Sequence, residues 1–143
     1  MKLKFFFYIF LLNLAVISCA QEKPSSNDSQ KIFTEFIKKD KFNKDETLLY
    51  PGLEDNNLKI LLTKEINRIA ETFKFIQNSK NPTDEFFQKA IQIGLKPIEK
   101  LNLDTEDRTR VANYIEELMD IVKLESSNGI LNNYVYGFDP TKK

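Results

Sequence analysis

Apolar residues recur at intervals of three and four along most of this chain, and the rhythm is interrupted at a few polar breaks. Leu58, Leu61, Leu62, Ile66, Ile69, Ala70, Phe73 and Ile76 keep the spacing over about six turns, which predicts an amphipathic helix across 58–78. Ile32, Phe33, Phe36 and Ile37, with Phe42 following, predict an earlier helix over 31–42. Asn81-Pro82 suits an N-cap followed by proline at the first helical position, and Asp84 and Glu85 then sit where the helix dipole favours negative charge. The helix they open carries Phe86, Phe87, Ala90, Ile91, Leu95 and Ile98 inward and runs to about Leu101, with a kink expected near Ile93–Gly94 because Pro97 lacks a backbone donor. Asp104 and the acids behind it open a fourth helix, whose inward stripe is Val111, Ile115, Leu118 and Val122, widened by Ala112, Tyr114 and Met119. Ser126–Gly129 ends it, and Ile130, Leu131, Tyr134 and Val135 predict one further short helix stopped by Gly137, with Phe138 tucked inside. The long connection over 43–57 contains the turn signal Tyr50-Pro51-Gly52 and is expected to lie on the core through Leu48, Leu49, Tyr50 and Leu53. The pattern as a whole predicts an all-α fold, a small antiparallel bundle of four to five helices.

The first eighteen residues follow a different logic. Lys2 and Lys4 precede an apolar run from Phe5 to Ile17, thirteen residues broken only by Tyr8 and Asn13. A bilayer core needs roughly 20 apolar residues, so this run is too short to span one. A basic start, a short apolar stretch and a small residue before the cut mark a secretory signal peptide. Val16-Ile17-Ser18-Cys19 resembles the lipobox of bacterial lipoproteins, which implies a cleaved signal over 1–18 and a lipid on the sulfur of Cys19. Two or three acyl chains, each buried methylene contributing about 0.8 kcal/mol, hold such a protein on the membrane. Cys19 is the only cysteine, so lipidation would leave no thiol to mispair in an oxidising compartment. Residues 20–30 are polar and contain no large apolar side chain. They are expected to form, with Cys19, a flexible tether over 19–30, reaching about 18 Å as a coil and about 38 Å fully extended. The helical domain then occupies 31–143. Ala20 stands where an aspartate would favour inner-membrane retention in enteric bacteria, so the expected location is the cell envelope, at the outer rather than the inner membrane.

Composition narrows the function classes. After removal of 1–18 the chain carries 19 basic and 21 acidic residues. No strongly basic face follows, and nucleic acid is not an expected partner. The sequence holds no histidine, which excludes histidine triads, histidine bases and histidine zinc sites. Four glycines and five prolines favour helices over a turn-rich β fold.

Unusual polar residues are densest in the last forty positions. Glu116 and Asp120 are four apart on one helix face, where like charges mildly repel. A solvated face is the plainer reading of that pair, and a cation or a basic partner the sharper one. Two carboxylates can carry out glycosidase chemistry, but one-helix spacing without a cleft does not indicate it. No loop has the ligand spacing of an EF-hand. Arg108 lies one turn into the acidic start of its helix, and an ion pair with Asp104 is its expected role. Ser126, Ser127, Asn128, Asn132 and Asn133 suit caps and turns better than a recognition patch. The candidate binding surface is therefore Asp107, Arg108, Glu116, Asp120, Asn132 and Tyr136. No catalytic or metal-ligating residue is assigned, and no cofactor is expected beyond the covalent lipid on Cys19.

Asp104-Thr-Glu-Asp-Arg108, Tyr114-Ile-Glu-Glu-Leu-Met-Asp-Ile121, Glu125-Ser-Ser-Asn-Gly129, Leu131-Asn132 and Tyr136-Gly-Phe-Asp-Pro140 together resemble a small bacterial family, domain of unknown function 4844. The resemblance is densest over 104–140 and reaches back to Tyr50-Pro51-Gly52. It implies a small helical domain and carries no catalytic residue. The expected function is a non-catalytic binding module, held to the membrane by its lipid, with another envelope protein as its candidate partner. An immunity or inhibitor protein against an envelope toxin or hydrolase is the main alternative, and an Asp/Glu-dependent hydrolase the weakest.

Overall fold

A computed structural model of the chain describes residues 26–138, with side chains from residue 28. Five helices follow one another: α1 Ser26–Lys38, α2 Asn56–Gln77, α3 Asp84–Glu99, α4 Thr105–Val122 and α5 Ile130–Tyr136. Apart from one isolated antiparallel bridge between Asp45 and Tyr50, the described residues contain no β-structure. The fold is an all-α bundle. α2 packs against α1, α3 and α4; α4 packs against α1, α2 and α5; and α5 closes on α3.

Each helix starts for a local reason. Asp55 caps α2 by accepting hydrogen bonds from the backbone N–H groups of Asn57 and Leu58. Asp104 caps α4 by accepting from the N–H of Asp107 at 2.8 Å. α3 differs from the expected start. Thr83, in extended conformation and without a side-chain cap, precedes the helix, and its carbonyl accepts from Phe86 and Phe87. Pro82 therefore lies outside α3, while Asp84 and Glu85 occupy the first turn as expected. Gly137, with φ +76°, ends α5 in the left-handed conformation that glycine adopts freely.

α1 begins at Ser26, so residues 26–30, assigned above to the tether, are helical. Ser29 is fully buried although it is polar, and Asp28 sits in the first turn, where the dipole favours it. Hydrophobic spacing cannot register a buried serine. The leader 1–18, Cys19 and residues 20–25 lie outside the described residues.

The core is built from the predicted stripes. Phe33 and Phe36 of α1, Leu62, Ile66, Ile69 and Phe73 of α2, Phe87, Ile91, Leu95 and Ile98 of α3, and Val111, Tyr114, Ile115 and Leu118 of α4 are all buried. Gly94 faces Ile69, and a Cβ there would lie 2.4 Å from Ile69 Cγ1, so the glycine permits the close approach of α2 and α3. α3 continues through Pro97 to Glu99.

Six residues expected on the inner face are exposed: Leu48, Leu49, Phe86 and Phe138, and at the edges of their stripes Ile32 and Leu61. Phe86 and Phe87 are adjacent on a helix and so about 100° apart. Only one can face α2, and Phe87 does, 5.0 Å from the ring of Phe73. Phe138 lies beyond the Gly137 stop, beside Tyr136 at the surface.

Candidate functional site

The connection between α1 and α2 carries the densest polar chemistry in the described residues. Its first residues are drawn inward by the exposed carbonyls that end α1. Lys41 is only 1% exposed. Its Nζ donates to the carbonyls of Phe36 at 2.6 Å and Lys39 at 3.0 Å, and lies 4.5 Å from the centre of the Phe36 ring. A cation there complements the negative end of the helix dipole. Burial, with the neighbouring Lys39 charge, pushes the Lys41 ammonium down to about 8. Phe42 follows at φ +60°, fully buried, and donates its N–H to the Tyr114 hydroxyl at 2.8 Å.

The chain then turns back on itself. Asp45 and Tyr50 exchange two backbone hydrogen bonds, each 2.9 Å, which close a small hairpin with 46–49 at its tip. The Asp45 carboxylate accepts from the N–H groups of Thr47 and Leu48, an Asx turn that shapes the tip. Its other oxygen meets Arg110 at 3.1 Å. The Arg110 guanidinium lies on the faces of Tyr114 and Tyr50, 4.7 Å and 5.3 Å from the ring centres. Tyr50 donates its hydroxyl to Asp107 at 2.7 Å.

Asp107 and Arg110 are three apart on α4 and so share a face, from which they grip the two ends of the hairpin. The Leu48 N–H, followed by the Arg110 charge, holds the Asp45 carboxyl below its ordinary range. Burial, followed by the bond to Asp107, pushes the Tyr50 hydroxyl far above its own.

This anchorage presents an apolar tip. Leu48 is 52% exposed and Leu49 is 89% exposed, the latter at φ +52°. A cleft of about 180 Å³ separates the tip from α4, lined by Leu48, Leu49, Tyr50, Thr109, Arg110 and Asn113 among others.

Residues 23–139 match the family described as Domain of unknown function (DUF4844). The chain belongs to the DUF4844 family. The match covers the hairpin, the α4 face and every candidate residue except Cys19. The DUF4844 chain is also similar to a solved crystal structure, a DUF3571 family protein from Acinetobacter baumannii AYE. The two superpose with a TM-score of 0.72 at 35% identity, over 78% of this chain and 91% of that one. No curated protein matches the chain.

Within the DUF4844 domain the candidate residues occupy separate places. Asp107 alone joins the hairpin anchorage. Arg108 points elsewhere: its Nε donates to the Leu103 carbonyl at 3.0 Å, and it lines a small cavity with Tyr134. Asp104 is the helix cap, so the expected Arg108–Asp104 pair gives way to that carbonyl bond. Glu116 is exposed. Asp120, also exposed, edges a groove between α1 and α4 where Lys39 and Glu117 form an ion pair at 2.9 Å. Asn132 is half-buried on α5, and Tyr136 is exposed with its ring 6.4 Å from that of Phe138.

The residues missed were Lys41, Asp45 and Arg110, and Tyr50, expected on the core, was not foreseen as the partner of Asp107. Arg110 carried a readable signal: it directly precedes Val111 and stands four before Tyr114. A charge at that phase intrudes on the apolar stripe of α4 and has to find a buried partner. Among the described residues, no group of three Cys, Asp or Glu side chains is placed to hold a metal ion, and no helix is long and apolar enough to cross a membrane.

Proposed function

We propose that this DUF4844 protein is a lipid-anchored binding module of the bacterial cell envelope, and that the Leu48–Leu49 tip is the surface it offers to a protein partner. The observation that carries the reading is the conformation of Leu49. A bulky residue at positive φ is a genuine outlier. Such strain costs on the order of 1–3 kcal/mol and persists only where the surroundings over-determine it. Here the surroundings are the Asx turn, the Asp45–Tyr50 bridge and the buried Arg110. A loop selected for stability alone would place Gly, Asn or Asp at that position. This one holds a leucine rigidly in water, which suits an anchor that fills a partner's pocket without an ordering cost.

Beside the tip stand the exposed Glu106 carboxylate and the exposed Lys44–Glu46 ion pair, 3.1 Å apart. This mixed-charge rim complements a protein with an apolar pocket and a polar rim. The anchor half of the reading rests on Lys2, Lys4, the thirteen-residue apolar run and Cys19. A lipid there would keep the tip within a few tens of ångströms of the membrane.

Both halves can be tested in cells. Labelled palmitate enters the wild-type protein, and Cys19→Ala abolishes the label and releases the protein from the membrane fraction. A photocrosslinker at position 48 gives a discrete protein adduct, which Leu49→Asp removes and Leu61→Asp, at another exposed leucine, leaves in place. Crosslinking to lipid alone, or an adduct indifferent to Leu49→Asp, overturns the tip assignment whatever the labelling shows.

A further inference from the structure

The two ends of the bundle expose different surfaces, and the N-terminal chain departs from one of them. Asp40 and Lys41 lie beside Lys59 and Thr63, and the Asn67 amide donates to the Ile37 carbonyl at 3.2 Å, so α1 runs antiparallel to α2. Lys39 pairs with Glu117, while Ile32 shares a groove with Asp120 and Ile121, so α1 runs antiparallel to α4 as well. From Ile37 back to Ser26 α1 rises about 16 Å, and from Asn67 on to Gln77 α2 rises about 15 Å. Ser26 is therefore level with the end of α2. The start of α3 is at the same end, with the Phe87 ring against Phe73 and the Gln88 amide donating to the Ser126 carbonyl beyond α4. The Leu48–Leu49 tip is at the opposite end, beside Thr105 and Glu106, about 25 Å away along α4.

At the end where Ser26 lies, two large rings face solvent. Phe75, in the last turn of α2, is 77% exposed, and Phe86, in the first turn of α3, is 54% exposed. The core does not need them, because Phe73 and Phe87 fill the seam between the two helices. Single exposed apolar side chains are ordinary. What distinguishes this pair is its place, on adjacent helices at the end from which the chain leads back to Cys19.

We infer that this end of the bundle seats on the phospholipid surface, with Phe75 and Phe86 inserted at the boundary between headgroups and acyl chains, an inference that rests on the reading of Cys19 as the lipid anchor. Seven residues carry the chain from Cys19 to Ser26, at most about 25 Å when fully extended. A lipid at Cys19 therefore holds this end, and not the leucine tip, against the bilayer. So short a link makes insertion of the rings an intramolecular event at high effective concentration, and a small apolar area then suffices. Near the rings, Lys74, Lys80 and Lys89 are balanced by Glu71, Asp84 and Glu85, so the docking does not depend on anionic lipid. Its consequence is orientation: the Leu48–Leu49 tip is presented away from the membrane, towards a partner.

The test couples residues 19–143 through the Cys19 thiol to a maleimide lipid in phosphatidylcholine vesicles, so that docking is read whether or not cells lipidate that residue. A photocrosslinker at position 80, between the two rings in sequence, gives abundant lipid adducts, and one at position 48 gives few. Phe75→Ser combined with Phe86→Ser lowers the yield at position 80 about tenfold, through the loss of both apolar side chains from the lipid. Ile60→Ser, at an exposed residue near the other end of α2, leaves the yield unchanged, as does raising the salt concentration. In solution the double variant keeps the wild-type thermal midpoint, because neither ring is part of the core. Three results overturn the docking: equal lipid yields at positions 48 and 80; a double variant that crosslinks as wild type does; or protein adducts in place of lipid at position 80, which would give the face to a second copy of the chain. Any of these with palmitate labelling of Cys19 intact in cells overturns the docking alone, whereas absent labelling overturns the anchor on which it rests.

Discussion

Two buried cations decide how the long connection folds, and each yields a prediction at the scale of a single residue. Arg110 is held by Asp45 and by the faces of two tyrosines, while its Nε is buried without a partner. Truncating one member of a fully buried ion pair costs about 3–5 kcal/mol. Asp45 is partly exposed, so Asp45 left alone recovers some hydration. Arg110→Met is expected to cost about 2–3 kcal/mol in urea unfolding, and to speed hydrogen exchange of the Asp45 and Tyr50 amides ahead of those in α2. Unchanged exchange at those two amides would count against the pinning role. Lys41 responds to pH in a definite direction. Its pKa is lowered in the folded state from 10.5 to about 8, so between these values the unfolded chain binds more protons than the native one. Stability therefore rises with pH over that window, and burying the cation is unfavourable below it. Urea midpoints of wild type measured at pH 7.5 and pH 10 should rise relative to those of Lys41→Met, in which the titration is absent. A constant difference between the two proteins would show that Lys41 is not desolvated.

At the scale of the element, the α2–α3 pair shows how one glycine sets a helix contact. In an isolated helix Gly→Ala gains about 1 kcal/mol. Here the added Cβ would lie 2.4 Å from Ile69 Cγ1, and overpacking of this kind costs about 1–3 kcal/mol. Gly94→Ala is expected to lower stability by about 1 kcal/mol net, and the double variant with Ile69→Ala to lose less than the two single losses added together, because truncating Ile69 removes the atoms the new Cβ meets. A double-mutant cycle with no coupling would remove the contact as the reason for the glycine. The elements themselves were legible because each pairs a periodic apolar face with polar ends: α2 and α5 begin and end within two residues of the expected positions, and α4 starts as expected but stops at Val122, ahead of the Ser126–Gly129 break. The misplacements each have a local cause. α1 starts early because a serine can be buried. α3 starts at Asp84 rather than Pro82, and its first turn hangs on the Thr83 carbonyl instead of an Asn81 cap.

At the scale of the whole molecule, the hydrophobic pattern assigned the stripes to a core but could not say which loop residues would reach it. Of the four residues expected to pin the connection, Tyr50 is buried and Leu53 packs against the core, while Leu48 and Leu49 project. That outcome follows from long-range partners, since Tyr50 bonds to Asp107, Asp45 to Arg110, and Phe42 to Tyr114 across separations of more than fifty residues. The six candidate surface residues share a stretch of sequence, yet the helix period and the turn into α5 send them to different faces. Sequence alone determined the all-α class, the helix order, the family and the expectation of a lipid at Cys19, because local periodicity, caps and a linear leader depend on neighbours in the chain. Tertiary structure decided the hairpin, the exposed leucine tip and the meeting of Asp45 and Tyr50 with Arg110 and Asp107. Each of these depends on which groups from distant segments are left to satisfy one another once the core has closed.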